Sequence, residues 1–254
     1  MITKNQIKHI NSLKSNKFRK THNEFIVEGI KLVDEILNSN FEISSLYATA
    51  NWIEENESNL PVNIEITEIN EKELKSISGL TTPNEVLAIV KMQKSTINTN
   101  EIYEDLILVL DKIRDPGNLG TMIRTADWFG IKNIICSNDT VDLYNPKVIQ
   151  STMGSVARVK VHYTDLEKFL KEIPEDFPVY GTFLEGENFY KSKFPSKAII
   201  VIGNESNGIS DKIAQLITNR IFIPPFSSNQ KQTAESLNAS IATALVCSEF
   251  RRIR

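Results

Sequence analysis

Cysteine is scarce in this 254-residue chain: Cys136 and Cys247 are the only two, and neither has a second cysteine or a histidine cluster beside it. That excludes a disulfide framework and a thiolate zinc site, and both are read as reduced core residues of a cytoplasmic protein. Histidine is scarcer than a metal site or a catalytic triad needs. His9, His22 and His162 lie far apart in sequence, so no metal is expected. No apolar run approaches the roughly 18 residues that cross a bilayer, so no membrane association is expected. The opening segment, MITKNQIKHINSLKSNKFRK, is basic without an apolar stretch, which excludes a secretory signal. The one glycine-rich turn after a strand reads DPGNLG over 115–120, not G-x-G-x-x-G, and no Gly-Lys-Ser/Thr loop occurs. Dinucleotide-dependent oxidoreductases and P-loop nucleotidases are therefore disfavoured. Acid is missing from the first 23 residues, which carry Lys4, Lys8, Lys14, Lys17, Arg19 and Lys20. In a chain of net charge −3, that asymmetry reads as a basic arm for phosphates, the alternative being a solvated helix face.

What is present is ordinary globular material, 41% apolar and 24% charged, long enough for one large domain or two modest ones. Apolar spacing predicts a helix over 3–15, a basic loop over Lys14–Lys20, a strand at Phe25–Val27 and a helix carrying Ile30, Val33, Ile36 and Leu37 on one face. Strands at Phe41–Thr49, Val62–Ile66 and Asn84–Met92, with a helical turn at Trp52–Glu57 and a helix at Glu71–Ile77, complete a small α/β module over 1–94. The polar stretch KSTINTN closes it, a linker runs over 95–105, and a second domain covers 106–254. There the strands Leu106–Leu110, Asn133–Cys136, Ala157–Val161, Val179–Phe183, Ala198–Ile202 and Arg220–Ile223 alternate with helices at Thr121–Phe129, Pro146–Met153, Asp165–Glu172 and Asp211–Ile217. A long helix ends the chain. Strands alternating with helices predict a mostly parallel sheet covered on both faces.

Three polar islands, 111–121, 203–208 and 224–236, each follow an apolar strand. A parallel sheet gathers the carboxyl ends of its strands at one rim, where open α/β folds bind ligands, so the islands are expected to converge into a cleft. Glycine suits such a rim because a backbone without Cβ lets a ligand approach closely. On local grounds Asn118 is expected to cap a helix starting near Leu119, Ser236 and Asn238 to be an N-cap and a first-turn residue, and Asp111 and Arg114 to form a local ion pair.

Asn118, Gly120, Arg124, Thr125 and Ala126 in NLGTMIRTA resemble the first signature of the SpoU/TrmH-type RNA 2′-O-ribose methyltransferases of the SPOUT superfamily. VIGNESNGIS over 201–210 resembles their second signature, and IFIPP…SLNASIATAL over 221–245 their third. KFRKTHNEFIVEGIKLV over 17–33 is similar to the substrate-binding domain often fused to them. The second signature here carries Ser206-Asn207 after Glu205, and the third spans a long glycine-free loop from Pro224 to Ser236.

The resemblance implies a C-terminal SPOUT-type α/β domain with a deep trefoil knot, a smaller N-terminal α/β RNA-binding domain, and a homodimer. It implies methyl transfer from S-adenosylmethionine to a ribose 2′-hydroxyl in RNA, ribosomal RNA before tRNA. The rival is a non-catalytic, ribosome-associated RNA-binding protein of the same fold. By the same resemblance Arg124, Asn118, Glu205, Ser236 and Asn238 are catalytic, Glu205 orienting Arg124. Gly203, Asn204 and Gly208 cradle the cofactor, and Ile202, Ile223 and Leu237 lie near its adenine. Lys14, Lys17, Arg19 and Lys20 are the expected RNA contacts.

Overall fold

The computed structural model describes residues 1–61, 64–97, 102–226 and 235–252. They form two compact units: Met1–Lys94 with Asp142–Arg158, and Ser95–Val141 with Val159–Arg254.

The first unit opens with α1 (Lys4–Ser12), whose Thr3 and Gln6 form a capping box, and α2 (Asn16–His22). The stretch read as a basic loop is thus largely helical. Its one buried residue is Arg19, so it has no apolar stripe for a periodicity argument to find. There follow β1 (Glu24–Glu28), α3 (Ile30–Leu37), β2 (Ile43–Ala48), α4 (Ala50–Asn56), β3 (Glu65–Glu68), α5 (Glu71–Ile77) and β4 (Val86–Lys91). The expected strand at Val62–Ile66 begins at Glu65, and residues 62 and 63 lie outside the described residues. The sheet order is β1-β4-β2-β3, antiparallel except for the β2–β3 pair. Ile10, Leu13, Ile26, Leu87 and Ile89 form its core, each essentially without solvent contact.

The second unit carries β5 (Leu106–Leu110), α6 (Pro116–Trp128) and β6 (Asn133–Ser137). The chain then supplies α7 (Pro146–Thr152) to the first unit, where it packs on β1 and Tyr144 lies 4.6 Å from the Phe25 ring. It continues with β7 (Lys160–Thr164), α8 (Leu166–Lys171), β8 (Val179–Phe183), β9 (Glu187–Asn188), β10 (Ala198–Ile202), α9 (Asp211–Ala214), β11 (Asn219–Phe222) and α10 (Ala239–Phe250). The seven strands run β7-β6-β5-β10-β8-β11-β9, every pair parallel. LILVL and AIIVI sit side by side at the centre, buried at every position, because such sheets are covered on both faces. Val159 and Val161 are buried, but β7 starts later than expected because Ser155–Ala157 turns as a short 3-10 helix. Among the described residues no helix is long and apolar enough to cross a membrane.

Candidate active site

The parallel register brings the carboxyl ends of β5, β10, β8 and β11 to one rim, and the loops there are joined by side chains. The ladder itself runs past the strands, with Asp111 N–H donating to Ile202 O at 2.9 Å. Asp111 is buried, and its Oδ2 accepts from Ser210 N–H at 2.8 Å, so it ties the first island to the second. This corrects the expected local pair: Arg114 is exposed and has no ion partner among the described residues. Lys112 adopts a left-handed φ of 58°, held at both ends. Its N–H donates to Ser137 Oγ at 2.9 Å, and its carbonyl accepts from Asn204 Nδ2 at 2.8 Å.

Asp115, not Asn118, caps α6: its Oδ1 accepts from Asn118 N–H at 2.8 Å, and Pro116 occupies the first turn. The helix therefore starts earlier than its apolar positions suggest, which frees the Asn118 side chain. Asn118 Nδ2 donates to Glu205 Oε1 at 2.6 Å, and Asn118 Oδ1 accepts from Asn238 Nδ2 at 3.0 Å. Glu205 Oε2 also accepts from Asn204 Nδ2 at 3.2 Å. Asn238, not Ser236, is the N-cap of α10, its Oδ1 accepting from Ser240 N–H at 2.9 Å and Ile241 N–H at 3.3 Å. The result is one network that converges on Glu205: Asn238 donates to Asn118 and Asn118 to one carboxylate oxygen, while Asn204 donates to the other. The first two islands are thereby tied to the residue that opens α10 just past the third. The carboxylate only accepts, so each amide that feeds it has one orientation.

Arg124 is not part of that network. At about 100° per helical residue it stands about 120° around α6 from Asn118, on an exposed face with Thr121 and Trp128. Among the described residues it has no hydrogen-bond or ion-pair partner, so the expected contact with Glu205 is not formed within one chain. Ser236 is exposed, Ile223 half-buried and Leu237 exposed; Ile202 is buried at the end of β10. Residues 227–234 of the third island lie outside the described residues.

The bend after β10 suits a bound ligand in one particular way. Asn204 and Gly208 exchange both backbone hydrogen bonds at 2.9 Å, and Asn204 Oδ1 accepts from the N–H groups of Ser206 and Asn207. A Cβ on Gly203 would lie 2.2 Å from the Gly208 carbonyl carbon, so this glycine makes room for the chain's own hairpin. Gly208, at φ +65°, faces open space and is the position where a ligand can approach the backbone. The glycine signal in the sequence thus covers two different needs.

Sequence reasoning missed a fourth loop. β8 lies between β10 and β11, so residues 184–186 reach the same rim, with Leu184 69% exposed and Gly186 set 2.7 Å (as a Cβ) from Arg220 O. The signal available was Leu184 and Gly186, two residues apart, directly after the strand Val179–Phe183. Elsewhere, Arg19 departs from its expected role as an RNA contact. It is 2% exposed, and its guanidinium donates to Asp142 Oδ2 at 2.6 and 3.1 Å and to the carbonyls of Leu13 and Lys14 at 3.0 Å. Lys14, Lys17 and Lys20 are exposed. Among the described residues no cluster of His, Cys, Asp and Glu could hold a metal ion.

An all-parallel sheet whose loops gather at its carboxyl rim, with the segments after β5 and β10 and the start of α10 tied together by hydrogen bonds, defines an open α/β domain built to bind a ligand there. Residues 105–248 match the SpoU rRNA methylase family, and residues 4–88 match the MRM3-like substrate-binding domain. The chain belongs to the SpoU rRNA methylase family. It is 29% identical to the 23S rRNA (guanosine(2553)-2′-O)-methyltransferase RlmP of Bacillus subtilis, over 98% of this chain and 97% of that one. A TrmH-family protein from Porphyromonas gingivalis superposes with a TM-score of 0.88 at 38% identity, covering 99% and 98% of the two chains. The AdoMet-bound rRNA methyltransferase from Sinorhizobium meliloti superposes at 0.86 with 29% identity, covering 99% and 95%.

Proposed function

We propose that this chain is an S-adenosylmethionine-dependent methyltransferase acting on a ribose 2′-hydroxyl in ribosomal RNA, and hence in the cytoplasm. The observation that carries the reading is the Asn238–Asn118–Glu205–Asn204 network, which joins the three signature segments into one rim. RlmP and the Sinorhizobium enzyme, similar along nearly their whole lengths, are named for rRNA methylation, and the latter holds AdoMet. The non-catalytic alternative gives that oriented side-chain network no role.

S-adenosylmethionine, when bound, supplies a sulfonium-activated methyl group. Gly208 and the bend from Gly203 would hold it, with Ile202, Ile223 and Leu237 along its adenine and 184–186 alongside. The resemblance assigns this region a trefoil knot, which fits a pocket made of bends rather than of a groove. Asn118, fixed by Glu205 and Asn238, positions the ribose, and holding the reacting atoms about 3–3.5 Å apart supplies much of the acceleration. Ser236 stands on the substrate side. Arg124 keeps its charge, since a guanidinium pKa exceeds about 12. Its role is then to clamp the neighbouring phosphate and stabilise negative charge developing on the 2′-oxygen.

That role needs a second copy of the chain. Arg124 shares its exposed helix face with Trp128, which is 86% exposed, and Ile241 and Leu237 at the start of α10 are exposed as well. α6 and α10 pack side by side, start to start and end to end, so Leu237 and Ile241 lie at the Asn118 end of the pair and Trp128 at the other. We take the surface between, with Arg124 on it, as the pairing face. A homodimer through this surface brings each Arg124 against the other copy's rim.

The test is transfer of labelled methyl groups to ribosomal RNA from cells lacking the gene, with the modified ribose located by mass spectrometry. Arg124→Ala is expected to abolish transfer while cofactor affinity, by calorimetry, stays within a few-fold. Normal turnover by that variant removes Arg124 from the mechanism, and no cofactor binding by the wild type removes the enzyme reading.

A further inference from the structure

Helix α2 inverts the usual plan of a surface helix. Its one buried side chain is Arg19, locked by Asp142 and two carbonyls, while its one large apolar side chain, Phe18, is 41% exposed. The helix is therefore anchored by a charge, and the aromatic ring keeps about two-fifths of its surface in solvent. It does not stand alone. The His22 ring lies 6.4 Å from it with the two planes within 16°, and His9 meets His22 edge-on at 4.7 Å. His9 is in turn fixed by the buried carboxylate of Glu24, at 2.9 Å, and the other oxygen of Glu24 accepts from Lys91 Nζ at 2.7 Å across the β1–β4 pair. Two nearly parallel rings are thus braced on the sheet through a chain of side chains, which lowers the ordering cost of using them. The exposed charge on the segment that carries them is basic. Lys17 Nζ sits 5.9 Å above the Phe18 ring, Lys14 and Lys20 are exposed, and no acid occurs in the first 23 residues.

We propose that Phe18 and His22 form a stacking platform for an unpaired nucleobase of the RNA substrate, with Lys17 and Lys20 taking the adjoining phosphates while Lys14 stays on Asn11 Oδ1 and the Ser78 carbonyl. A flat base laid on Phe18 displaces the Lys17 ammonium from the ring face, and the nearest phosphate receives it. Stacking of this kind tolerates any base, because each has a π-face, so the platform selects for unstacked nucleotides rather than for sequence. It separates a loop or bulge from a continuous duplex. The inference rests on the reading of the chain as an RNA-modifying enzyme and adds the structural class of RNA that its N-terminal unit engages.

The experiment compares two RNA probes on the full-length protein: a hairpin with a single-stranded loop carrying one 2-aminopurine, and a perfectly paired duplex of equal length. Binding is titrated at several salt concentrations for the wild type, Phe18→Ala, Phe18→Trp and Lys17→Ala/Lys20→Ala. Phe18→Ala is expected to weaken hairpin binding about 10-fold or more, to abolish the 2-aminopurine quenching, and to leave duplex affinity and the salt slope unchanged. Phe18→Trp restores both affinity and quenching. The double lysine variant lowers the salt slope by about 1.4 on the single-stranded loop, because two phosphates are no longer neutralised by the protein. Unchanged hairpin affinity in Phe18→Ala, equal loss on both probes, or no rescue by tryptophan overturns the platform while RNA binding stands. Failure of the wild type to bind either probe overturns the RNA reading of this unit along with it.

Discussion

At the scale of single residues, environment and not residue type separates the two kinds of arginine in this chain. Arg19 spends its donors inside the first unit, whereas Arg124 keeps all of its donors free among the described residues. Arg19→Ala is expected to destabilise the first unit by about 3 kcal/mol, because it takes the donor from the Leu13 and Lys14 carbonyls and from the half-buried Asp142 carboxylate at once. The salt slope of RNA binding should not change. Urea unfolding and a salt titration check the two halves. Nothing local in KFRK distinguishes Arg19 from its lysine neighbours. What decides its burial is Asp142, 123 residues further along. Asn118 teaches the same lesson: its side chain is free for Glu205 only because Asp115 takes over the cap. The two thiols illustrate the converse. Burial pushes Cys247 up to about 12 and Cys136 higher, in keeping with the inert core roles the sequence assigns them.

Among the elements, the bend after β10 and the edge strand β7 carry the sharpest consequences. Gly203→Ala forces the Gly208–Ile209 backbone to move, whereas Gly208→Ala meets no atom and incurs only the left-handed φ, about 1–2 kcal/mol. Gly203→Ala is therefore expected to be the more destabilising of the two and to lower cofactor affinity at least 10-fold. Calorimetry and urea unfolding of both variants check the order. On β7, buried His162 stands between Ser95 Oγ at 2.7 Å from Nδ1 and Asn133 Oδ1 at 3.2 Å from Nε2. Asn133 presents an acceptor, so the neutral ring carries its proton on Nε2. Burial, and then Lys160 nearby, hold its pKa below the ordinary 6.5. The unfolded chain thus binds the proton first. The stabilisation is complete above about pH 6.5 and is lost as pH falls towards the depressed native value. His162→Gln should flatten the pH dependence of the second unit's urea midpoint between pH 7.5 and 5.

For the molecule as a whole, the proposed assembly follows from what α6 and α10 leave uncovered. Trp128→Asp is expected to convert a particle of twice the 28.8 kDa chain mass into one of single mass by light scattering, and to abolish methyl transfer without abolishing cofactor binding. A single-mass wild type would remove the pairing and with it the role given to Arg124. The chain's division of material is also a property of the whole. Asp142–Arg158 interrupts the second unit in sequence and folds with the first. An apolar pattern over Pro146–Met153 marks a helix, and cannot say which core receives it.

The sequence alone determined what depends on neighbours in the chain. Runs such as LILVL and AIIVI mark buried strands, and a parallel sheet gathers its polar loops at one rim. Alternation with helices, however, accompanies an all-parallel sheet in the second unit and a mostly antiparallel one in the first, so strand direction was decided by tertiary pairing. Helix ends, the partners of Arg19 and Asn118, the fourth loop at 184–186 and the helix beneath the basic segment were decided only in three dimensions. Each is set by a hydrogen bond, a clash or an exclusion of water between groups far apart in the chain. A local pattern carries apolar periodicity, and it carries no trace of which distant polar atom will complete a side chain's bonding.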